Sequence, residues 1–337
     1  MPSDRFPDQT PRRHRRITVC LLIFTLTLPR IRLMISERTG YIGLRGAETC
    51  WRNRSMRYGI SIENFGWFGD INLMLKFAVE AEKAGWDGFF LWDHLQIFPP
   101  SEAMPFIDSW MALASIAVKT KKMRLGPMVT PLPRRRPWKL AREAATLDHL
   151  SNGRLTLGVG IGAPPNPEFA SFGEDTNPRT RAEKLDEGLD VITGLWSGEA
   201  FSYEGKHYHV HEARFLPKPK QQPRVPIWIG GGWPKTSPFR RAAKYDGVVP
   251  VHTDWPKRIT TANLEEILRL IESERGNLRD YDVAVSGHTA GNDSTEDREL
   301  MQSWIDAGAT WWLEEIESLR GGLEELRERV ERGPPQA

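Results

Sequence analysis

Cysteine is nearly absent from this chain: the two it has, Cys20 and Cys50, both fall within the first 55 residues. The rest can form no internal disulfide and offers no thiolate to a metal or substrate, which fits a reducing, cytoplasmic setting. Excess charge is missing too. The formal net charge is +2, and from residue 56 onward 35 basic residues face 40 acidic ones, so the main body is mildly acidic. Nucleic acid is therefore not an expected partner. Membrane-length apolar runs are also lacking. The stretch Ile17–Leu28 is largely apolar over 12 residues, short of the ~20 that a spanning helix needs. Arg12, Arg13, Arg15 and Arg16 precede it, an arrangement like the charged and apolar parts of a secretory signal. No small-x-small cleavage site follows; Pro29, Arg30 and Arg32 come next. We expect residues 1–55 to be a poorly ordered extension, or the product of a start assigned too early, with the domain proper at 56–337. A targeting peptide is the competing reading.

What the chain does have is glycine at a telling spacing. LTLGVGIGAPPNPEFASF, Leu155 to Phe172, places Gly158, Gly160 and Gly162 along an apolar strand. Side chains alternate faces along a strand, so glycines two apart strip one face and let the backbone approach something flat or anionic. A crowded barrel interior wants small residues equally, and this stretch alone does not separate the two.

From Arg57 onward short apolar runs alternate with amphipathic stretches, the rhythm of strand followed by helix. The expected strands are Tyr58–Asn64, Gly88–His94, Arg124–Pro131, one from Leu155, Pro226–Gly231, Asp246–Val251, Asp282–His288 and Ala309–Glu315. Asp70 and Asp108 are placed to cap helices, Gly85 to stop one, and Ser151-Asn152-Gly153 to turn the chain before the glycine strand. Eight such beats over 282 residues fit an α/β fold of the (β/α)8 TIM-barrel type, typically ~250 residues long. No dinucleotide fingerprint opens the chain to favour a doubly wound sheet. Insertions are expected after strand four (Ala163–Pro178) and before strand five (Gly198–Arg224), the latter holding a hairpin in FSYEGKHYHV. Chemistry in such barrels gathers at the C-terminal strand ends. Those ends carry Glu63 and Asn64, Asp93 and His94, Val129 and Thr130, Gly160 to Gly162, Gly230 to Gly232, Val251 and His252, and Gly287 and His288.

Several segments, in this order, resemble the bacterial luciferase-like superfamily of flavin- and deazaflavin-dependent oxidoreductases. They are AEKAGWDGFFLWDH (Ala81–His94), RLGPMVTP (Arg124–Pro131), ATLDHLSNGRLTLGVGIG (Ala145–Gly162), the Glu168, Phe172, Gly173 spacing, FSYEGKHY (Phe201–Tyr208) and PKPKQQPRVPIWIGGG (Pro217–Gly232). The resemblance covers most of Met56–Pro250 and fades beyond Val251. It implies a reduced flavin-type ring held at the strand ends, with hydride or oxygen chemistry on a small-molecule substrate above it. By position, His94 would be a proton donor or relay titrating near neutrality, and Asp93 would orient it or bind the cofactor. A structural pair closing the barrel is the alternative. Asn64 joins the implied cofactor contacts. Val129 and Thr130 would lie along the ring edge, and Gly160, Ile161 and Gly162 would pass the ribityl chain or phosphate. Gly230 and Gly231 suit either an anion nest or a tight turn.

The resemblance also bears on cofactor and partners. Asp-His after the second strand leans towards coenzyme F420 over FMN, whose monooxygenases often carry Glu-His there. An FMN enzyme would draw reduced flavin from a separate reductase, and the superfamily's habit suggests a homodimer. A flavin-binding barrel without catalysis is the alternative function. Arg134, Arg135 and Arg136 suit either a phosphate contact or a solvated loop. His207, His209 and His211 alternate like metal ligands, but no carboxylate spacing completes a site, so no metal is expected. Trp92, Phe98, Phe106 and Trp233 read as cavity walls or as ordinary core.

Overall fold

The computed structural model describes residues 55–254 and 256–335. The extension expected at residues 1–55, with both cysteines, lies outside them except for Ser55.

The element order is β1 (Arg57–Ile62), α1 (Ile71–Ala84), β2 (Gly88–Leu91), α2 (Ser109–Lys119), β3 (Arg124–Pro127), β4 (Thr130–Pro131), α3 (Pro137–Leu150), β5 (Leu157–Gly160) and the short α4 (Pro165–Glu168). It continues with α5 (Pro178–Trp196), the hairpin β6 (Phe201–Glu204) and β7 (His209–Ala213), β8 (Ile227–Trp233), α6 (Ser237–Ala242), β9 (Gly247–His252), α7 (Thr261–Arg275), β10 (Asp282–Gly287), α8 (Thr295–Asp306), β11 (Trp311–Ile316) and α9 (Leu323–Glu331). The expected caps form: Asp70 accepts from Asn72 N, Asp108 from Met111 N, and Gly85 ends α1 in the left-handed region at φ 93°.

Nine strands pair in the order β3-β2-β1-β11-β10-β9-β8-β5-β4, every pairing parallel. β3 and β4 are two pieces of the single strand expected at Arg124–Pro131, parted at Met128 and Val129, whose peptide is cis. Leu125 bridges to Leu155, with Thr156 N donating to Leu125 O at 2.9 Å, which closes the ring. The result is the expected barrel of eight staves, one of them broken. Alternation sorts the side chains. Ile60, Ile62, Phe89, Leu91, Leu157, Val159, Ile227 and Ile229 belong to the large core between sheet and helices. Phe90, Trp228, Val249, Ala284, Trp311 and Leu313 form a second cluster inside the barrel.

At the N-terminal end the interior is stoppered by aromatics. Phe90, Trp228 and Trp311 pack with ring centroids 5.4, 5.7 and 5.5 Å apart. Asp282 accepts from the indoles of Trp228 and Trp311 at 3.2 and 3.3 Å and from Arg57 at 2.5 Å, and the Arg57 guanidinium lies 4.3 Å over the Trp311 ring. Each polar atom of this plug has a partner, so aromatic bulk is buried without an orphaned N–H.

The first two glycines near the seam have a packing cause. A Cβ on Gly126 would lie 1.9 Å from Thr156 O, and one on Gly158 would lie 2.2 Å from Pro127 O. The crowded-interior reading therefore accounts for Gly158: the staves on either side of the closure approach too closely for a side chain. Because the obstacle is backbone, Gly158→Ala should destabilise the fold by ~1–3 kcal/mol, the range for overpacking. Urea unfolding tests this, and an unchanged midpoint would sink it.

Candidate active site

The site grows from β2. The chain leaves that strand through Trp92, Asp93 and His94, and Asn64, fully buried at the end of β1, fixes the exit. Its amide nitrogen donates to His94 O (2.9 Å) and Ile107 O (2.8 Å), while its oxygen accepts from His94 N (3.2 Å). Asn64 thus spends its amide on main chain: it is a positioning residue for His94, where the sequence suggested a cofactor contact.

Asp93 is buried and heavily bonded. Thr130 Oγ1 donates to it at 2.8 Å and Arg135 at 2.8 and 3.0 Å, and Thr130 in turn accepts from Trp110 Nε1 at 2.9 Å. Arg134, only 4% exposed at its side chain, lies 3.7 Å from the Asp93 carboxylate, donates to Asp93 O at 2.5 Å and pairs with Glu168. Glu168 accepts as well from Leu95 N (3.1 Å), Gln96 N (3.2 Å) and His94 Nδ1 (3.0 Å). The phosphate-binding reading of Arg134 and Arg135 is thereby corrected. Two buried carboxylates leave charge to be neutralised, and these guanidiniums do it.

His94 differs from expectation in its titration. Burial pushes its pKa down to about 4, with Arg134's charge adding to the depression and Asp93 opposing it. The imidazole is neutral at pH 7, not poised near neutrality. The Glu168 carboxylate, facing Arg134, can only accept, so Nδ1 of His94 carries the proton and Nε2 keeps its lone pair. At neutral pH Nε2 of His94 is thus an unprotonated acceptor, and its lowered pKa makes it a weak base. Its side chain keeps 23% of its surface accessible. Trp92 lies 6.0 Å from it and Phe65 6.1 Å. Phe65 also gathers Trp92, Phe98 and Phe106 at 6.0, 5.8 and 5.2 Å, so these aromatics are one packed wall, while Trp233 packs separately on Phe239.

The remaining expected residues form a neighbouring arc over β4, β5 and β8. Val129 covers both Gly160 and Gly230: a Cβ on either would meet its methyls at 2.9 and 3.2 Å. Gly162 needs its φ of 81° and the space beside Phe169. The carbonyls of Ile161 and Gly162 accept from buried Arg181 at 3.0 and 2.7 Å. Gly231 faces Phe239 and Pro238 on the helix side, away from the barrel interior. Gly160 and Gly230 give up their interior faces to Val129, whose side chain covers the backbone of both strands. The three hairpin histidines do not converge: His207 pairs with Glu183 and His209 with Glu204.

Sequence reading missed two groups. Glu168 stood in a recognised spacing but lies 74 positions from the histidine it holds, so nothing local marked its role. The other group is acidic, at the ends of β11 and β10. Glu315 and Glu317 lie 3.4 and 3.1 Å from His288 Nε2, Ser286 Oγ donates to Glu315 at 2.6 Å, and Arg258 pairs with both glutamates. The ligand atoms of His288, Glu315 and Glu317 come within 4.8 Å of one another. Beside them Glu63, buried and bonded to Ser318 N at 3.0 Å, is raised to about 7 by burial, against Ser318's hydrogen bonds and with help from Glu317's charge.

Comparison with known proteins matches residues 49–335 to the family described as luciferase-like monooxygenase. The chain is 36% identical over 179 residues to an F420-dependent glucose-6-phosphate dehydrogenase of Microbacterium testaceum, covering 52% of this chain and 51% of that protein. It is 26% identical over 259 residues to the oxygenase component of a flavin-dependent trigonelline monooxygenase of Acinetobacter baylyi, covering 74% and 68%. The chain spans about half the length of these curated F420-dependent relatives. An F420-dependent secondary alcohol dehydrogenase, solved with an F420-acetone adduct, superimposes with a TM-score of 0.69 at 16% identity over 83% of this chain and 98% of that one. That likeness shows the fold. Among the described residues no helix is long and apolar enough to cross a membrane.

Three outcomes follow for the ion network. NMR of the imidazole carbons should show His94 titrating near pH 4, and Arg134→Met should raise that value; titration near 6.5 in the intact protein would contradict the geometry. An unfolded chain takes up the His94 proton from pH 6.5 downward while the folded one does not, so this group costs stability as pH falls from 6.5 to 4. Glu168→Gln removes the carboxylate paired with Arg134, leaving it the Asp93 carbonyl at 2.5 Å and the Asp93 carboxylate at 3.7 Å, and should cost about 3 kcal/mol in denaturant unfolding.

Proposed function

Because this chain belongs to the luciferase-like monooxygenase family, we propose that it is an oxidoreductase using coenzyme F420 to dehydrogenate a small organic substrate at a carbon bearing O–H or N–H. His94 is the observation that carries this reading. It lies just past the end of β2, with β4, β5 and β8 round the ring on one side and β1, β11 and β10 on the other. That is where a ring resting on the first arc would meet a substrate resting on the second.

The deazaflavin, when bound, supplies the two-electron hydride chemistry. Val129, lying over Gly160 and Gly230, would hold its ring, and backbone N–H groups near Gly230 would meet its phosphate. Nε2 of His94 accepts the proton from the substrate's O–H or N–H, and Glu168 holds the ring through Nδ1 so that the lone pair keeps its aim. Arg134 offsets the carboxylate's charge and keeps the histidine neutral. Asp93 and Thr130 anchor the loops that carry these groups. Phe65, Trp92, Phe98 and Phe106 wall the pocket against water.

F420 is favoured over FMN by Asp93 where Glu is common in FMN enzymes and by the F420-dependent relatives. The flavin-dependent relative keeps open a monooxygenase supplied by a separate reductase. We further infer a cytoplasmic homodimer. Titration with F420 and FMN, oxidised and reduced, followed by absorbance and tryptophan quenching, tests the reading: F420 should bind alone or at least tenfold more tightly. His94→Ala should retain F420 affinity and lose ~10²–10⁴ in kcat, and wild-type rates should stay level from pH 6 to 8. Equal turnover by His94→Ala would remove the base from the scheme.

A further inference from the structure

Glu168 reaches His94 from an insertion that runs from the end of β5 to the start of α5. On the His94 side its oxygens are gripped by His94 Nδ1, Leu95 N, Gln96 N and Arg134. Those bonds hold the carboxylate once it is there. They do not fix the backbone that brings it, and a glutamate side chain has several torsions through which its oxygens can turn or withdraw.

Arg181 closes the insertion at its base. It stands in the first turn of α5, just past the insertion. Its Nη1 donates back across the insertion to the carbonyls of Ile161 and Gly162, at 3.0 and 2.7 Å. The same guanidinium lies 4.6 Å over the ring of Phe169, a residue that follows Glu168 in the chain and is buried with it. A Cβ on Gly162 would come within 2.7 Å of Phe169 Cζ, so the ring also rests on the backbone of that glycine. Arg181, Phe169 and the turn Ile161–Gly162 thus form one packed joint, with Glu168 as the next residue along the chain.

The bonding of the guanidinium bears on what it is there to hold. Arg154, also buried, donates from all three guanidinium nitrogens to nearby carbonyls and to Thr120 Oγ1. Arg181 is 4% exposed, yet its Nε is buried and has no hydrogen-bond partner among the described residues. An arginine placed only to tie main chain would not leave a buried donor unbonded. Here the lost bond is offset by the cation lying over the aromatic face.

We infer that Arg181 is a positioning residue for His94: it clamps Phe169 against the turn Ile161–Gly162 and so sets where the backbone presents Glu168. The inference rests on the oxidoreductase reading above only for the reaction that His94 serves. The arrangement follows the general pattern in which a reactive group is aimed by a partner that is itself held by packing and hydrogen bonds. It also joins two parts of the site. The turn that Arg181 holds is the one along which a ribityl chain or phosphate would pass, so a cofactor lying there meets the same joint that aims Glu168.

The tautomer of His94 reports the clamp directly. It is read by nitrogen NMR of the imidazole in the full chain at neutral pH without cofactor, with the signal assigned by its loss in His94→Gln. Held by the Glu168 carboxylate, the Nδ1–H form should exceed the Nε2–H form by roughly tenfold or more, the preference that a charge-assisted hydrogen bond confers. Arg181→Met and Phe169→Leu keep apolar bulk but lose the clamp, and each should bring the two tautomers to comparable populations in a folded chain. Arg181→Lys, which keeps a cation and donors for the two carbonyls, should restore most of the excess. Variants that unfold at lower urea yet keep the wild-type tautomer ratio would make Arg181 and Phe169 packing residues only and overturn the inference. If Arg181→Met does not fold, Phe169→Leu carries the same test with the same two outcomes. Titration with F420 and FMN is run separately: binding of neither would remove the oxidoreductase reading, while the tautomer ratios would still decide whether the clamp aims Glu168.

Discussion

One arginine ties together three loops that sequence keeps apart. Arg134 enters from the turn after β4, meets the carbonyl and carboxylate of Asp93 after β2, and reaches Glu168 in the insertion after β5. Burying three charged groups together is tolerable only because each has the others. Remove the guanidinium and two carboxylates face each other with Arg135 alone to meet one of them. The fixed tautomer of His94 follows from this junction, and Arg134 adds to the lowering of its pKa that burial begins.

The barrel then gives that histidine two different neighbourhoods. On one flank, strands packed too closely for side chains at Gly126 and Gly158 leave the faces of Gly160 and Gly230 to the methyls of Val129. On the other, strands ending in carboxylates and histidine leave a charged wall. The asymmetry has no single local cause. It arises because β3 and β5 must close the ring past a broken stave, which demands small residues there, while the stretch from β1 to β11 pairs regularly and has room for long side chains.

Legibility in the sequence tracked how local each cause was. Strand and helix beats, the Asp70 and Asp108 caps, the stop at Gly85 and the hairpin in FSYEGKHYHV all stand where periodicity and capping residues put them, because each is decided within a few residues. The third strand was legible as a unit but not its interruption at Met128 and Val129. Asp93, His94 and Thr130 were found and do lie together. The partners that define their chemistry were not. Arg134 in a run of three arginines looks like a solvated loop, and Asn64 at a strand end looks like a ligand contact; only the fold shows that one is buried against carboxylates and the other holds main chain. Glu315 and Glu317 fall in a segment where the family resemblance had already faded.

The aromatic plug at the opposite end has a consequence for traffic. With Trp228, Trp311 and Phe90 packed together and Asp282 tying both indoles, the barrel has one doorway. On the proposed reading, a cofactor held against β4, β5 and β8 would go in before a substrate lying over it and come out after it. The order of arrivals and departures is written into the stopper.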